Sequence, residues 1–243
     1  MDRASSALRP HDLLFLQRPD AFAPCAAGGL PDWLDAAWLA RAPLVVRRAA
    51  LDAGRAPVGA RGPMRNQRCA GAVALGKVAR RVTPEALARR VLASVHVDAD
   101  NEQDTEPGVG GARLADAAGA LPCIAALLAL APCLADLGLD WGPAGGAGFW
   151  LASSLPVLRP DSDLDLLVRA PRPPARATLA ILAALQERAP CRIDVQLDTG
   201  FGGFALNEYV RESARGGKVL LKTATGPLLV ADPWEAPPAR AAA

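Results

Sequence analysis

The stretch Ser162-Asp-Leu-Asp-Leu-Leu-Val168 sets two carboxylates at the mouth of an aliphatic strand, and the rest of the chain reads outward from it. In an extended chain residues i and i+2 share a face, so Asp163 and Asp165 stand side by side. Burying two like charges is costly unless a cation lies between them. Carboxylate oxygens are the hard ligands that suit Mg²⁺, which completes its shell with water and substrate phosphate. The plainer reading is a solvated strand edge after the turn at Pro160-Asp161. Against it, Leu166, Leu167 and Val168 carry the strand into a core.

Two neighbouring features bear on this pair. Asp194 lies in Arg192-Ile-Asp-Val-Gln-Leu197, flanked by the inward-tending Ile193 and Val195. If that strand lies beside the first, Asp194 joins the pair as a third ligand or as the base that deprotonates an attacking hydroxyl. Otherwise it is an ordinary outward charge paired with Arg192. Upstream, the run Gly142-Pro-Ala-Gly-Gly-Ala-Gly148 lets backbone N–H groups approach phosphate oxygens, above all where a helix begins. A Gly-rich turn, Asp-x-Asp on a strand and a third Asp on a later strand together suit metal-dependent nucleotidyl transfer, which is mostly positioning and charge neutralisation.

The elements around these residues predict a mixed α/β fold. A helical pattern over 121–139 is interrupted at Pro132. Strands are expected over 164–168 and 192–197 with a helix over 176–188 between them. A short helix over 206–213 leads into a hairpin of 218–222 and 227–230. Before this, strands are expected over 12–16, 44–48 and 67–75, a helix over 31–41, and a helix after 83 with Thr83 as its cap and Pro84 in its first turn. Between the halves, residues 98–111 hold five acidic residues, one proline and three glycines with almost nothing to bury. The chain therefore divides into an N-terminal α/β module (1–97), an acidic linker (98–111) and a catalytic domain (112–243) with a mixed sheet and flanking helices.

Composition narrows the class. Of 243 residues 51% are hydrophobic and 21% charged, enough for a packed core. No apolar run reaches the ~18 residues that span a bilayer, and the opening residues lack the apolar stretch of a secretory signal. A soluble, cytoplasmic protein is expected, with no membrane partner. A net charge of +2 is too mild for a nucleic-acid footprint. Three lysines among 27 cations read as arginine-rich codon usage. Five cysteines without a CxxC pair argue against a zinc site or a disulfide framework and for buried structural thiols.

The same stretches carry a resemblance. Arg9-Pro-His-Asp-Leu-Leu14, Pro57-Val-Gly-Ala-Arg-Gly62 with Asn66-Gln-Arg68, and Trp141 to Phe149 are similar to segments of a known family. So are Leu158 to Arg169, Ile193-Asp-Val-Gln196, Ala205-Leu-Asn-Glu-Tyr209, Val219-Leu-Leu-Lys-Thr223 and Asp232-Pro-Trp234. Together they resemble the nucleotidyltransferases related to DNA polymerase beta, and more closely the phosphoribosyl-dephospho-CoA transferases that complete the acyl-carrier subunit of malonate decarboxylase. The resemblance implies a nucleotidyltransferase fold in the C-terminal half. It implies that triphosphoribosyl-dephospho-CoA is the donor, a serine of the apo carrier the acceptor and pyrophosphate the product. The family's paired acids fall on Asp163 and Asp165, the superfamily's third on Asp194. Gly145-Gly146 stands where the superfamily usually has Gly-Ser.

Phosphate contacts are expected from Gly145, Gly146, Arg61, Arg65 and Lys222, because arginine forks suit phosphate bidentately. Arg68 belongs with Arg61 and Arg65; a solvated cationic loop is the plainer reading of that cluster. Arg159 and Arg169 read as charges that balance the Asp pair. His11 reads as a structural residue or a substrate contact, and His96 as solvated. Trp33, Trp38, Trp150 and Trp234 read as packing rather than as base-stacking platforms. Two rivals remain: a nucleotidyltransferase that passes AMP from ATP to a small molecule or another protein, and a non-catalytic carrier-docking subunit.

Overall fold

A computed structural model describes residues 7–26, 29–50, 54–96, 111–187 and 189–237. Residues 97–110, most of the expected acidic linker, lie outside them, as does the side chain of His96. The fold is mixed α/β, built on two six-stranded sheets.

The first sheet comprises β1 (Leu13–Leu16), β2 (Phe22–Pro24), β3 (Leu44–Val46), β4 (Arg55–Arg61), β5 (Arg68–Ala74) and β6 (Val78–Val82). Its order is β2-β5-β4-β3-β1-β6, antiparallel throughout the described residues. The expected helix over 31–41 shrinks to α1 (Ala36–Leu39), because Asp35 caps it by accepting the Trp38 N–H at 2.7 Å. The Pro57 to Arg61 run lies in β4, so Arg61 stands on a strand and not in a loop, while Arg65 sits in the turn beyond it. The strand β4 pairs with β5 residue for residue from Arg55↔Ala74 to Arg61↔Arg68, so the sheet is larger than the sequence suggests.

The helix after Thr83, α2 (Pro84–His96), begins as expected, with the Thr83 hydroxyl accepting the Ala86 N–H at 3.1 Å. It is followed by α3 (Gly111–Ala120) and by α4 (Pro122–Asp136), which runs through Pro132. The second sheet comprises β7 (Asp140–Pro143), β8 (Leu164–Arg169), β9 (Ile193–Asp198), β10 (Gly203–Ala205), β11 (Val219–Thr223) and β12 (Gly226–Val230), in the order β12-β11-β10-β9-β8-β7. The Gly-rich run opens a helix, α5 (Gly145–Ser153), which ends at Ser154 in the left-handed conformation. The helix α6 (Arg176–Glu187) crosses from β8 to β9, which are parallel; α7 (Leu206–Ser213) precedes β11.

Alternation assigns the two faces of β8 and β9. Leu164, Leu166 and Val168, with Ile193, Val195 and Leu197, pack in one core with Leu87 and Val91 of α2 and Ile124, Leu127 and Leu134 of α4. Each such side chain contributes about 1.5–3 kcal/mol of burial. The opposite face carries Asp165, Leu167, Arg169, Asp194, Gln196 and Asp198, and the first sheet stands against it.

Charge holds that contact. The Arg169 side chain, 5% exposed, donates to Glu85 at 2.9 Å, to the Pro10 carbonyl at 2.9 Å and to Asp198. Asp198 also pairs with Arg48 at 3.1 Å, and Glu85 with Arg9 at 3.0 Å. The fully buried Asp12 faces Arg169 at 3.8 Å across the sheets and pairs with Arg81 of its own sheet at 2.7 Å. Arg169 thus ties the sheets together and does not balance the Asp163/Asp165 pair, because it sits at the far end of β8. No helix among the described residues is long and apolar enough to cross a membrane. The cysteines are free; Cys123 is buried but Cys25 is exposed, so burial does not explain them all.

Candidate active site

The site forms where β8 enters the sheet. A turn in which Ser162 N–H bonds the Arg159 carbonyl at 3.0 Å delivers Asp163 to the strand mouth, two residues before Asp165. The parallel register then sets Asp165 opposite Asp194 on the same face. Burial pushes the Asp165 carboxyl above its ordinary range, and the charges of Asp194 and Asp163 push it further. Arg61 and the Gly146 N–H oppose that shift.

The helix α5 is fitted onto this carboxylate. Ala144 N–H bonds the Asp165 carbonyl at 2.9 Å, and Gly145 follows with φ +51°. A Cβ on Gly145 would fall on Oδ2 of Asp165, and one on Gly146 would stand 3.3 Å from the Arg61 guanidinium. The positive end of the helix therefore rests on Asp165, so the Gly146 N–H already serves a protein carboxylate. The Gly-rich run and the Asp pair, separate in sequence, are one structure.

The first sheet supplies the cations. Arg61 ends β4, with its carbonyl accepting the Trp38 Nε1–H at 2.7 Å and its guanidinium 5.7 Å from the Phe149 ring centroid. Burial and the neighbouring Arg68 lower its pKa to about 10. Arg65, in the β4–β5 turn, bonds Asp163 at 2.8 Å. Arg61, Arg65, Arg68 and Arg159 line one cavity of about 280 Å³ with Asp163, Asp165, Asp194, Gly145 and Gly146. Eight of the nine residues expected to bear on phosphate or metal at this point, Lys222 apart, are therefore together if Arg68 is counted with its cluster. Lys222 lies on the other side of the acid pair, in a cavity of about 660 Å³ with Arg47, Arg48 and Arg192. A third, mainly apolar cavity of about 490 Å³ adjoins both, walled by Leu13, Val45, Ala60 and Phe149.

Among the described residues no three His, Cys, Asp or Glu side chains are grouped as a metal site. Asp163 is engaged by Arg65 and Asp194 by Arg192, at 2.8 and 3.0 Å. These arginines are 75% and 71% exposed, and such surface pairs contribute about 0–1 kcal/mol, so a divalent cation can displace them. Hard oxygen donors in register, with mutual repulsion that already raises Asp165, fit Mg²⁺.

Several residues of the site carry no local sequence signal. His11, in the left-handed region with φ +74°, is bonded to Gln196 and held neutral, its pKa lowered to about 4 by burial and then by Arg48 and Arg169. The sequence flags it only through Arg9-Pro-His-Asp12. Arg47, Arg48 and Asp198 give no such hint. The tryptophans pack as expected: Trp234 forms edge contacts with Phe204 and Tyr209 and donates to the Ala170 carbonyl at 2.8 Å.

Comparison with known proteins resolves which transferase chemistry this geometry belongs to. Residues 112–233 match the phosphoribosyl-dephospho-CoA transferase MdcG C-terminal domain, and residues 9–84 match the N-terminal domain of the same family. The chain belongs to the phosphoribosyl-dephospho-CoA transferase family. A phosphoribosyl-dephospho-CoA transferase of Pseudomonas aeruginosa is 44% identical over 232 residues, 96% of each chain. One of Pseudomonas putida is 42% identical over 229 residues, covering 94% of this chain and 96% of the relative. One of Klebsiella pneumoniae is 39% identical over 232 residues, 95% of this chain and 98% of the relative. No solved structure matches. The transferase is thus an enzyme, and both of its sheets fall within matched segments.

Proposed function

We propose that this transferase moves the phosphoribosyl-dephospho-CoA group from triphosphoribosyl-dephospho-CoA to a serine of the apo acyl-carrier subunit of malonate decarboxylase. The observation that carries the reading is the register of Asp165 with Asp194 beneath the arginines of the β4–β5 hairpin, in a chain of this family. The serine Oγ–P bond forms as the P–O bond to pyrophosphate breaks. Arg61 and Arg65 hold the triphosphate, with Gly145 and Gly146 in the same cavity letting the start of α5 close onto Asp165. Asp194, the least buried of the three acids, accepts the serine proton.

Asp163, Asp165 and Asp194 would hold Mg²⁺, which when bound neutralises charge on the reacting phosphate. In this reading the second sheet carries the acids and the first sheet closes the site over them, while α2 packs against the opposite, apolar face of β8 and β9. The reaction is placed in the cytoplasm.

The test is to incubate the pure protein with apo carrier, donor and Mg²⁺ and weigh the carrier by mass spectrometry. The reading predicts a mass gain equal to the transferred group, lost with EDTA and with Asp163→Ala. Adenylation of a protein or small molecule from ATP, with no gain from the CoA-derived donor, would replace it. Carrier binding indifferent to Asp163 and Mg²⁺, without transfer, would point to a docking subunit.

A further inference from the structure

Cations stand on both sides of the acid pair. On one side are Arg61, Arg65, Arg68 and Arg159. On the other, Arg47, Arg48, Arg192 and Lys222 line the 660 Å³ cavity together with Gln196 and Asn207, while Asp165 and Asp194 form the wall that the two cavities share. A triphosphate whose reacting phosphorus lies at the acids and whose tail runs toward Arg61 and Arg65 leaves the second set unused.

That second set is built to take an anion. Among the described residues neither Arg47 nor Lys222 has an ion-pair partner, and both are exposed at the cavity. Deeper in, Arg48 spends one nitrogen on Asp198 at 3.1 Å, and its buried Nη2 has no hydrogen-bond partner. His11, on the same wall, is neutral and so adds no competing charge. Unpaired cations beside neutral amides and an imidazole, in a cavity of this size, match a phosphate ester better than a metal or an apolar group.

We propose that this cavity is a second phosphate subsite, in which Arg47, Arg48 and Lys222 bind the 5′-diphosphate of a nucleoside-diphosphate ester. The inference rests on the proposed donor, whose dephospho-CoA portion carries such a diphosphate well away from the triphosphate. It assigns Lys222 to that diphosphate rather than to the leaving group. It also gives a physical reason for choosing a CoA-derived donor over ATP, which has one phosphate chain and can fill one of the two sets.

The experiment is isothermal titration of the full chain with two probes, dephospho-CoA and inorganic tripolyphosphate. It uses the wild-type protein and two double variants, Arg47→Ala/Lys222→Ala and Arg65→Ala/Arg68→Ala. Loss of two charge-assisted contacts predicts at least about tenfold weaker dephospho-CoA binding in the first variant, with tripolyphosphate within about twofold of wild type. The second variant shows the reverse. Dephospho-CoA binding that is absent in the wild type, or unmoved by Arg47→Ala/Lys222→Ala, overturns the subsite. The same holds if that variant instead raises the KM for the carrier while leaving dephospho-CoA affinity alone, since the cavity then belongs to the acceptor. If wild-type protein fails to modify the carrier yet binds dephospho-CoA with the predicted dependence on Arg47 and Lys222, the proposed transfer fails and the subsite stands.

Discussion

Replacing Arg169 by methionine removes the cation at the centre of the contact between the sheets while keeping an apolar stem of similar length. The guanidinium is 5% exposed and serves Glu85, Asp198 and the Pro10 carbonyl. Removing one partner of a buried ion pair costs about 3–5 kcal/mol, because the remaining charge is left buried and uncompensated. Here both carboxylates keep a second arginine, Arg48 for Asp198 and Arg9 for Glu85, which sets the expected loss at the low end, about 3 kcal/mol. For a chain of this size one kcal/mol moves the melting temperature by roughly 2–4 °C, so Arg169→Met lowers Tm by about 6–12 °C in scanning calorimetry. Adding Asp198→Asn to Arg169→Met then costs less than it does in the wild type, because the two residues are in contact and the Arg169 bond that Asp198 would forfeit is already gone. A Tm loss under about 2 °C, or full additivity of the two changes, would refute the role given to Arg169 as the tie between the sheets.

Two further outcomes follow from the titrating groups. Asp165 has its pKa raised, so its charged form opposes folding, and that penalty grows as pH rises through the raised value. Asp165→Asn keeps an acceptor for the Gly146 N–H and therefore raises Tm at neutral pH without divalent cation, has no such effect below the ordinary carboxylate range, and abolishes transfer; a Tm loss at neutral pH contradicts the reading. His11 has its pKa lowered from 6.5 to about 4, so the stability from keeping it neutral is complete above pH 6.5 and is lost as pH falls toward 4. Glu85 and Asp198, both lowered, lose theirs in the same direction at more acidic pH. Urea unfolding between pH 7 and 4 should show a decline on the order of 2–3 kcal/mol that His11→Asn flattens, asparagine being among the side-chain-bearing residues that best tolerate φ +74°. An unchanged slope in that variant would remove His11 from the account.

The acid side of the site was legible because its information is local. Alternation in Leu164 to Val168 and in Ile193 to Leu197 specifies one apolar face for each strand, and so assigns Asp165 and Asp194 to the other. What periodicity does not supply is the parallel pairing that puts these two carboxylates opposite each other. The Gly-rich run was readable as a close-approach element but not as a helix start. Spacing alone does not show that Gly145 lies against a carboxylate with φ +51°. In the first sheet, Pro57 and Gly59 imitate a loop, yet strand pairing to β5 overrides that local preference and carries Arg61 to the site, with Arg65 in the turn that follows.

The remaining gap has a common cause. Arg65 meets Asp163 across 98 positions, Arg169 meets Glu85 across 84, and Arg48 meets Asp198 across 150. Arg48, Glu85 and Asp198, each read in its own segment, look like ordinary solvated charges, and even Asp163 gives no sign of Arg65 as its partner. The meaning of one depends on a partner brought to it by the other sheet. Chemistry confined to one strand can be inferred from spacing, whereas chemistry shared between two sheets requires knowing how they face each other. For this transferase the distinction has a consequence for specificity. The acids that any phosphoryl transfer of this kind would use were visible in the sequence, while Arg47 and Arg48, which would select a donor with a second phosphate group, emerged only when β3 was laid against the acid face of β9.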